Sequence, residues 1–442
     1  MESNVLAHEL IDFIKNSPTA YHATAQICRR LDAAGFQPLS ETASWTLVPG
    51  GKYYVTRNAS SVLAFMLPQS KAISYQVVAA HSDSPAFKLK DVFDRPSPDG
   101  YLKLNVERYG GMLCSSWMDR PLGIAGRVIV ATENGMQVRL LDFDRDMAII
   151  PNVAIHMDRS ANDGKSYNAQ VDMLPILGVG GNDSFKKQLL DEIGVEEEQL
   201  LGHDLLLYPR DEGRGWGRED EMISAPRLDD LMCAFGAMEA FLAGGHDSVI
   251  PMLAVFDNEE VGSSTRQGAA SSFLEDTLGR IELALKATGE NEQEAYCRLS
   301  NSWMLSADNA HAVHPNHPEY ADAQNKPRIN AGIVLKFNAA QRYATDGIGG
   351  AAFRRICDRA GVRVQTYANR SDMPGGSTLG NIANTRVNLH TIDIGLPQLA
   401  MHSAYETAGT ADLADYVRAC TVFYHTAIRA GEGDTFAMEW SE

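Results

Sequence analysis

The chain has 442 residues, 44% of them hydrophobic and 22% charged, which at roughly 100–200 residues per domain allows two or three domains and a large buried core. Its net charge of −18 argues against nucleic acid and anionic membranes as partners. The opening stretch MESNVLAHELIDFIK has no basic region or long apolar core of a secretory signal, and no run of about 18 apolar residues follows, so a cytoplasmic location is expected.

In chain order, Leu6, Leu10, Phe13 and Ile14 fall on one side of a helix over 4–15, which Ser17-Pro18 stops. A second helix is predicted over 20–34, ending at Gly35. The β-branched run ISYQVVAA (73–80) predicts a buried strand. From about 87 to 225 the texture changes to short alternating runs, such as GRVIVAT and MQVRLLDF, separated by Gly, Pro and Asp clusters. That pattern predicts a β-rich module, with RDEGRGWGREDE (210–221) as a loop. After 226 strands and helices alternate again. Leu231, Phe235, Met238 and Leu242 mark a helix, and strands are predicted over 249–256, 302–307, 331–337, 362–368 and 387–395. Leu413, Val417, Cys420, Tyr424 and Ile428 predict a long C-terminal helix. The expected fold class is α/β: one sheet with helices on both faces, built from 1–86 and 226–442 and interrupted by the β-rich insertion 87–225. The six cysteines (28, 114, 233, 297, 357 and 420) are scattered with no C-x-x-C pair, and buried reduced thiols are expected rather than disulfides or a zinc knuckle.

Metal-ligand residue types recur where the predicted strands end. His81 and Asp83 close the first strand, Glu259 and Glu260 follow 249–256, Asp308 follows 302–307, and His402 follows 387–395 after a short loop. Asp229 joins them just before a helix. Open α/β sheets bind ligands beyond the carboxyl ends of their strands. Each piece alone has an ordinary explanation: a surface histidine, a solvated charge pair, a helix cap. Five ligand-type residues at successive ends of one sheet make a constellation. Carboxylate and imidazole without thiolate suit zinc, manganese or cobalt and leave room for water and substrate. Of the adjacent pair, one glutamate can ligate while the other serves as general base. In His81-x-Asp83 the carboxylate can hold the imidazole in its metal-binding tautomer.

The motifs SPTAYHA (17–23), AAHSDSPAFKLK (79–90), NVAIHMDR (152–159), RLDDL (227–231), FDNEEVGS (256–263), SADNAHAVHPN (306–316), MPGGSTLG (373–380) and AMHSAYE (400–406) together resemble the aspartyl aminopeptidase family of di-zinc exopeptidases, in particular its bacterial members. The resemblance spans nearly the whole chain and implies a zinc-exopeptidase α/β/α domain with a mixed sheet, interrupted by a β-rich dimerisation domain. It implies two zinc ions per subunit, one on His81, Asp229 and Asp308 and the other on Asp229, Glu260 and His402, with Glu259 as general base. Asp230 is a minor departure, since many relatives carry Asn there. The resemblance further implies substrate contacts from His156, His311, Lys336 and Tyr343, peptide substrates with an acidic N-terminal residue, and a homo-oligomer, a dodecamer built from dimers. Two rivals stand beside it. A deacylase or carboxypeptidase on a related fold would need a site for a substrate carboxylate. A non-catalytic assembly or cargo scaffold would have no physical need for Glu259.

Overall fold

The structure, a computed structural model, describes residues 3–441 other than 96, 98, 180–183 and 288. At its centre is a nine-stranded mixed sheet in the order Gln37–Leu39, Lys52–Arg57, Ser61–Met66, Val249–Phe256, Ser74–His81, Trp303–Ala307, His390–Gly395, Ile333–Phe337 and Val364–Ala368. The four middle strands, from Val249–Phe256 to His390–Gly395, run parallel, and antiparallel neighbours flank them on both sides.

Side chains alternate across a strand, so each buried strand feeds two cores. Val78, Ala80, Leu253, Val255, Leu305, Ile392 and Ile394 face one core, which they share with the helices Ser3–Lys15, Leu228–Leu242 and Thr410–Tyr424. Val77, Ala79, Met252, Ala254, Phe256 and Met304 face the other, against helix Phe273–Ala287. Burial on both faces is why Val249–Phe256 reads as a continuous apolar run. Because the four strands point the same way, with Phe256 opposite His81 and Ser306 opposite Ala79, their carboxyl ends open along one edge.

Residues 86–209 hold a separate six-stranded antiparallel sheet, with its own core around Phe87, Trp117, Ile124, Val128, Leu205 and Leu207. The β-rich reading omits a helix here. Phe185–Ile193 is capped by the Ser184 hydroxyl, ends at left-handed Gly194, and sends Phe185 and Leu189 into that core. Within the expected loop, Arg214–Trp216 is a strand. It pairs with Met222–Ala225, which in turn pairs with Glu406–Gly409 in a small five-stranded sheet that also holds Pro397–Leu399 and Ala310–His311. The last stretch of the expected insertion therefore hydrogen-bonds to segments beside the sheet edge.

The C-terminal helix stops at Tyr424. Ile428, expected on it, lies on strand Thr426–Ala430, which forms a hairpin with Phe436–Trp440, and its side chain is still buried in the first core. All six cysteines are unpaired, but only Cys233, Cys357 and Cys420 are buried; Cys297 is exposed. Among the described residues, no helix is long and apolar enough to cross a membrane.

Candidate metal centre

The edge where the parallel strands end is rich in buried carboxylates. His81, the last residue of its strand, is 1% exposed. Its backbone N–H donates to Asp230 Oδ2 (3.1 Å), and its Nδ1 lies 3.1 Å from the Asp83 carbonyl oxygen and 3.4 Å from Asp83 Oδ1. Both groups of Asp83 thus fix the ring, the carbonyl more closely than the carboxylate expected from the sequence. The carboxylate also accepts the backbone N–H groups of Glu259 (3.1 Å) and Glu260 (3.2 Å) and the Tyr109 hydroxyl (2.6 Å). Glu259–Val261 form a single tight turn between the left-handed residues Asn258 and Gly262, so both glutamates turn back over the sheet edge.

Asp229 sits in the first turn of helix Leu228–Leu242. Arg227 before it is left-handed, and the Asp229–Asp230 peptide is cis. Its two carboxylate oxygens face different histidines: Oδ1 is 3.5 Å from His81 Nε2, and Oδ2 is 3.5 Å from His402 Nε2. His402 Nε2 is also 3.3 Å from Glu260 Oε2. Ligand atoms of His81, Asp229, Asp230 and Asp308 lie within 4.8 Å of one another, and so do those of Asp229, Glu260 and His402. Asp229 belongs to both groups.

These residues fit a metal. Asp229 Oδ1, Asp230 Oδ1 and Glu260 Oε1 are buried and accept no hydrogen bond from the described residues, and leaving such acceptors unmet costs about 1–3 kcal/mol each, more when they are charged. Burial and the neighbouring Asp229 push Glu260 well above the usual carboxylate range. Burial, and then Asp308, Asp83 and Asp229 against the opposing pull of His81, raise Glu259 to about 7. A set of carboxylates packed this closely calls for cations, and oxygen and imidazole donors without sulfur are the zinc set expected from the sequence.

Three of the four expected substrate contacts gather beside Asp308. Lys336 is 3% exposed, not the surface lysine that a strand end usually carries. Its Nζ donates to the Asn309 carbonyl (2.9 Å), lies 3.8 Å from Asp308 Oδ1, and sits 5.6 Å from the centre of the Tyr343 ring. Tyr367 joins Tyr343 to His311, with ring centres 6.2 and 6.1 Å away. His311 opens a groove of about 260 Å³ lined by His314, His317, Tyr320, Tyr367 and Arg370. His156 is elsewhere, on the exposed stretch 151–157 of the six-stranded module, and makes no hydrogen bond to the described residues. Around it Val153, Ile155 and Met157 are 49, 44 and 83% exposed.

Sequence reasoning missed Tyr109, which brings the six-stranded module to Asp83. It also missed Glu406, Gln398 and Asn309, which bond to one another behind the ligands. Glu406 lies inside the motif AMHSAYE; nothing local distinguishes it from a surface acid.

Residues 13–424 match the Aminopeptidase I zinc metalloprotease (M18) family. A "Probable M18 family aminopeptidase 2" of Clostridium novyi is 41% identical over 415 residues, 92% of this chain and 95% of that protein. A chain of the cryo-EM structure of the Ape4 and Nbr1 complex superposes with a TM-score of 0.91 at 32% identity, over 96% of this chain and 86% of that one. The S. cerevisiae mApe1 dodecamer matches with a TM-score of 0.81 at 30% identity, over 94% and 95% of the two chains. The resemblance read from the sequence and the mixed α/β fold are thereby borne out, and the chain belongs to the M18 family of zinc metalloproteases and is a metallo-aminopeptidase.

Proposed function

We propose that this aminopeptidase removes an N-terminal residue, preferably Asp or Glu, at a site for two zinc ions that share Asp229, with Glu259 as general base. The observation that carries this reading is the division of one carboxylate between two histidines, 3.5 Å from each oxygen. In it, His81, Asp229 and Asp308 hold one ion and Asp229, Glu260 and His402 the other; cobalt or manganese could substitute. Bound there, the ions supply Lewis acidity toward water and the scissile carbonyl. Glu259 accepts the proton of the attacking water as its oxygen bonds to the carbonyl carbon, then returns that proton to the peptide nitrogen as the carbon–nitrogen bond breaks. Asp83 holds Glu259 in place through its backbone N–H. The test is a panel of aminoacyl-nitroanilides assayed with zinc, cobalt and manganese. Highest kcat/KM on Asp and Glu substrates supports the reading, and a preference for Leu or Ala overturns its specificity.

The overall charge of −18 repels acidic substrates at long range, so an acidic preference must come from a local cation. Lys336 fits that role: an ammonium has three donors, and the Asn309 carbonyl takes one. Lys336→Met is expected to lower kcat/KM on Asp and Glu substrates more than on Leu and Ala substrates. An equal loss on all four would assign Lys336 to holding Asp308 instead.

The same reading includes a homo-oligomer built from dimers that pair through the β-rich insertion, up to the dodecamer of the yeast relative. The exposed Val153, Ile155 and Met157 support it, since they form an apolar stretch on the surface of the β-rich module. His156 among them would then complete the neighbouring subunit's site, donating a hydrogen bond to the oxyanion. Mixing inactive His156→Ala with inactive Glu259→Gln under subunit exchange is expected to restore activity. No recovery, with exchange shown independently, rejects action in trans.

A further inference from the structure

We infer that Glu406 is the positioning residue that fixes the second metal group against the first; this rests on the two-ion reading above. Glu406 begins the strand Glu406–Gly409 and is 1% exposed. Its carboxylate spans two ligand-bearing segments: Oε2 accepts the backbone N–H of Asp229 (2.9 Å) and Oε1 that of His402 (2.7 Å). The residue shared by both groups and a ligand of the second group alone are thus tied through one side chain. The tie extends further. Gln398 Nε2 donates to Glu406 Oε1 (3.4 Å), and Gln398 Oε1 accepts from Asn309 Nδ2 (2.8 Å). That same amide nitrogen donates to the Leu228 carbonyl (2.9 Å). Asn309 and Gln398 are 2% and 1% exposed, so the network is closed off from water. It runs through the segments at 228–229, 308–309, 398 and 402–406, which carry three of the five proposed ligands.

Chemistry explains why a carboxylate stands here. Both oxygens face backbone N–H donors, and an amide would turn its own NH₂ toward one of them. A buried negative charge with no cationic hydrogen-bond partner is costly unless nearby cations offset it, and two divalent ions beside Asp229 and His402 would do so. His402 depends on it most. It is left-handed, on a loop outside any strand, and its backbone N–H is held by Glu406 alone among the described residues. Partners that hold ligands in this way typically contribute about 10–100-fold in metal affinity.

The test is zinc bound per chain across a zinc-buffer series for the wild type, Glu406→Gln and Glu406→Asp, with melting temperatures taken in chelator and in excess zinc. Glu406→Gln is expected to weaken one of the two ions about 10–100-fold and spare the other. Its melting temperature in chelator should fall only by the cost of the one lost acceptor, and the deficit should be larger in zinc. Aspartate, one methylene shorter, cannot hold both N–H groups at once and should weaken metal binding more than it lowers the melting temperature in chelator, so it decides the matter if the glutamine variant does not fold. Binding curves that superimpose on the wild type's, or an equal drop in melting temperature with and without zinc, would overturn the inference and leave Glu406 a structural strut. A wild type that binds fewer than two ions would instead overturn the reading on which it rests.

Discussion

Glu259→Gln is expected to lower kcat by about 10²–10⁴-fold while both ions stay bound. Glutamine has nearly the same shape but cannot take a proton from water. The substitution leaves the ligand set untouched, because Glu259 belongs to neither group of mutually close ligand atoms. The turn survives as well: the backbone N–H that bonds Asp83 is unchanged, and Asn258 and Gly262 keep their left-handed conformations. Metal content measured beside the rate decides the question. Two ions per chain with a near-normal kcat would remove Glu259 from the base role. Loss of an ion would make it a ligand and assign Glu260 a different part.

Most of the proposed ligand set was legible because of where the sheet puts it. A parallel strand buried on both faces is mostly apolar along its length, so a cluster of ligand-type residues just after it marks its carboxyl end. His81, Glu259 with Glu260, and Asp308 all stand at that transition. Local periodicity carries no such information about the groups behind them. Glu406, Gln398 and Asn309 meet only because Met222–Ala225, Pro397–Leu399 and Glu406–Gly409 share a small sheet, a contact set by tertiary structure. Lys336 likewise looks like an ordinary charge at a strand end, and its burial depends on Asp308, which lies 28 residues earlier. In the fold, helix Phe185–Ile193 has both a serine cap and a stop glycine, yet its nine residues are outweighed by the strands around it. Ile428 keeps helical spacing with Tyr424 although the chain has become a strand, because both states send that side chain into the same core. Val153, Ile155 and Met157 alternate as strand residues do, yet they lie exposed on a stretch that forms no strand.

Asp229→Asn is expected to take metal content from two ions per chain to near none. The carboxylate is 3% exposed, and its oxygens divide between His81 and His402. An amide offers one oxygen and turns a hydrogen-bond donor toward the other ion, and it removes the charge that offsets repulsion between two divalent cations sharing one bridge. Losing the bridge therefore acts on both groups. Losing a ligand that belongs to one group should act on one: Asp308→Asn is expected to release a single ion and leave the Glu260 and His402 side occupied. Asp230→Asn supplies the control for local charge. It sits beside Asp229, but its Oδ2 is committed to the His81 backbone N–H. Removing its charge is thus expected to disturb the first group without emptying the second. Metal analysis of the three variants after dialysis at equal free zinc separates these outcomes. If Asp229→Asn still holds two ions at wild-type affinity, the carboxylate is not shared. If Asp230→Asn empties both groups as completely as Asp229→Asn does, the bridge belongs to the charge of the pair rather than to Asp229.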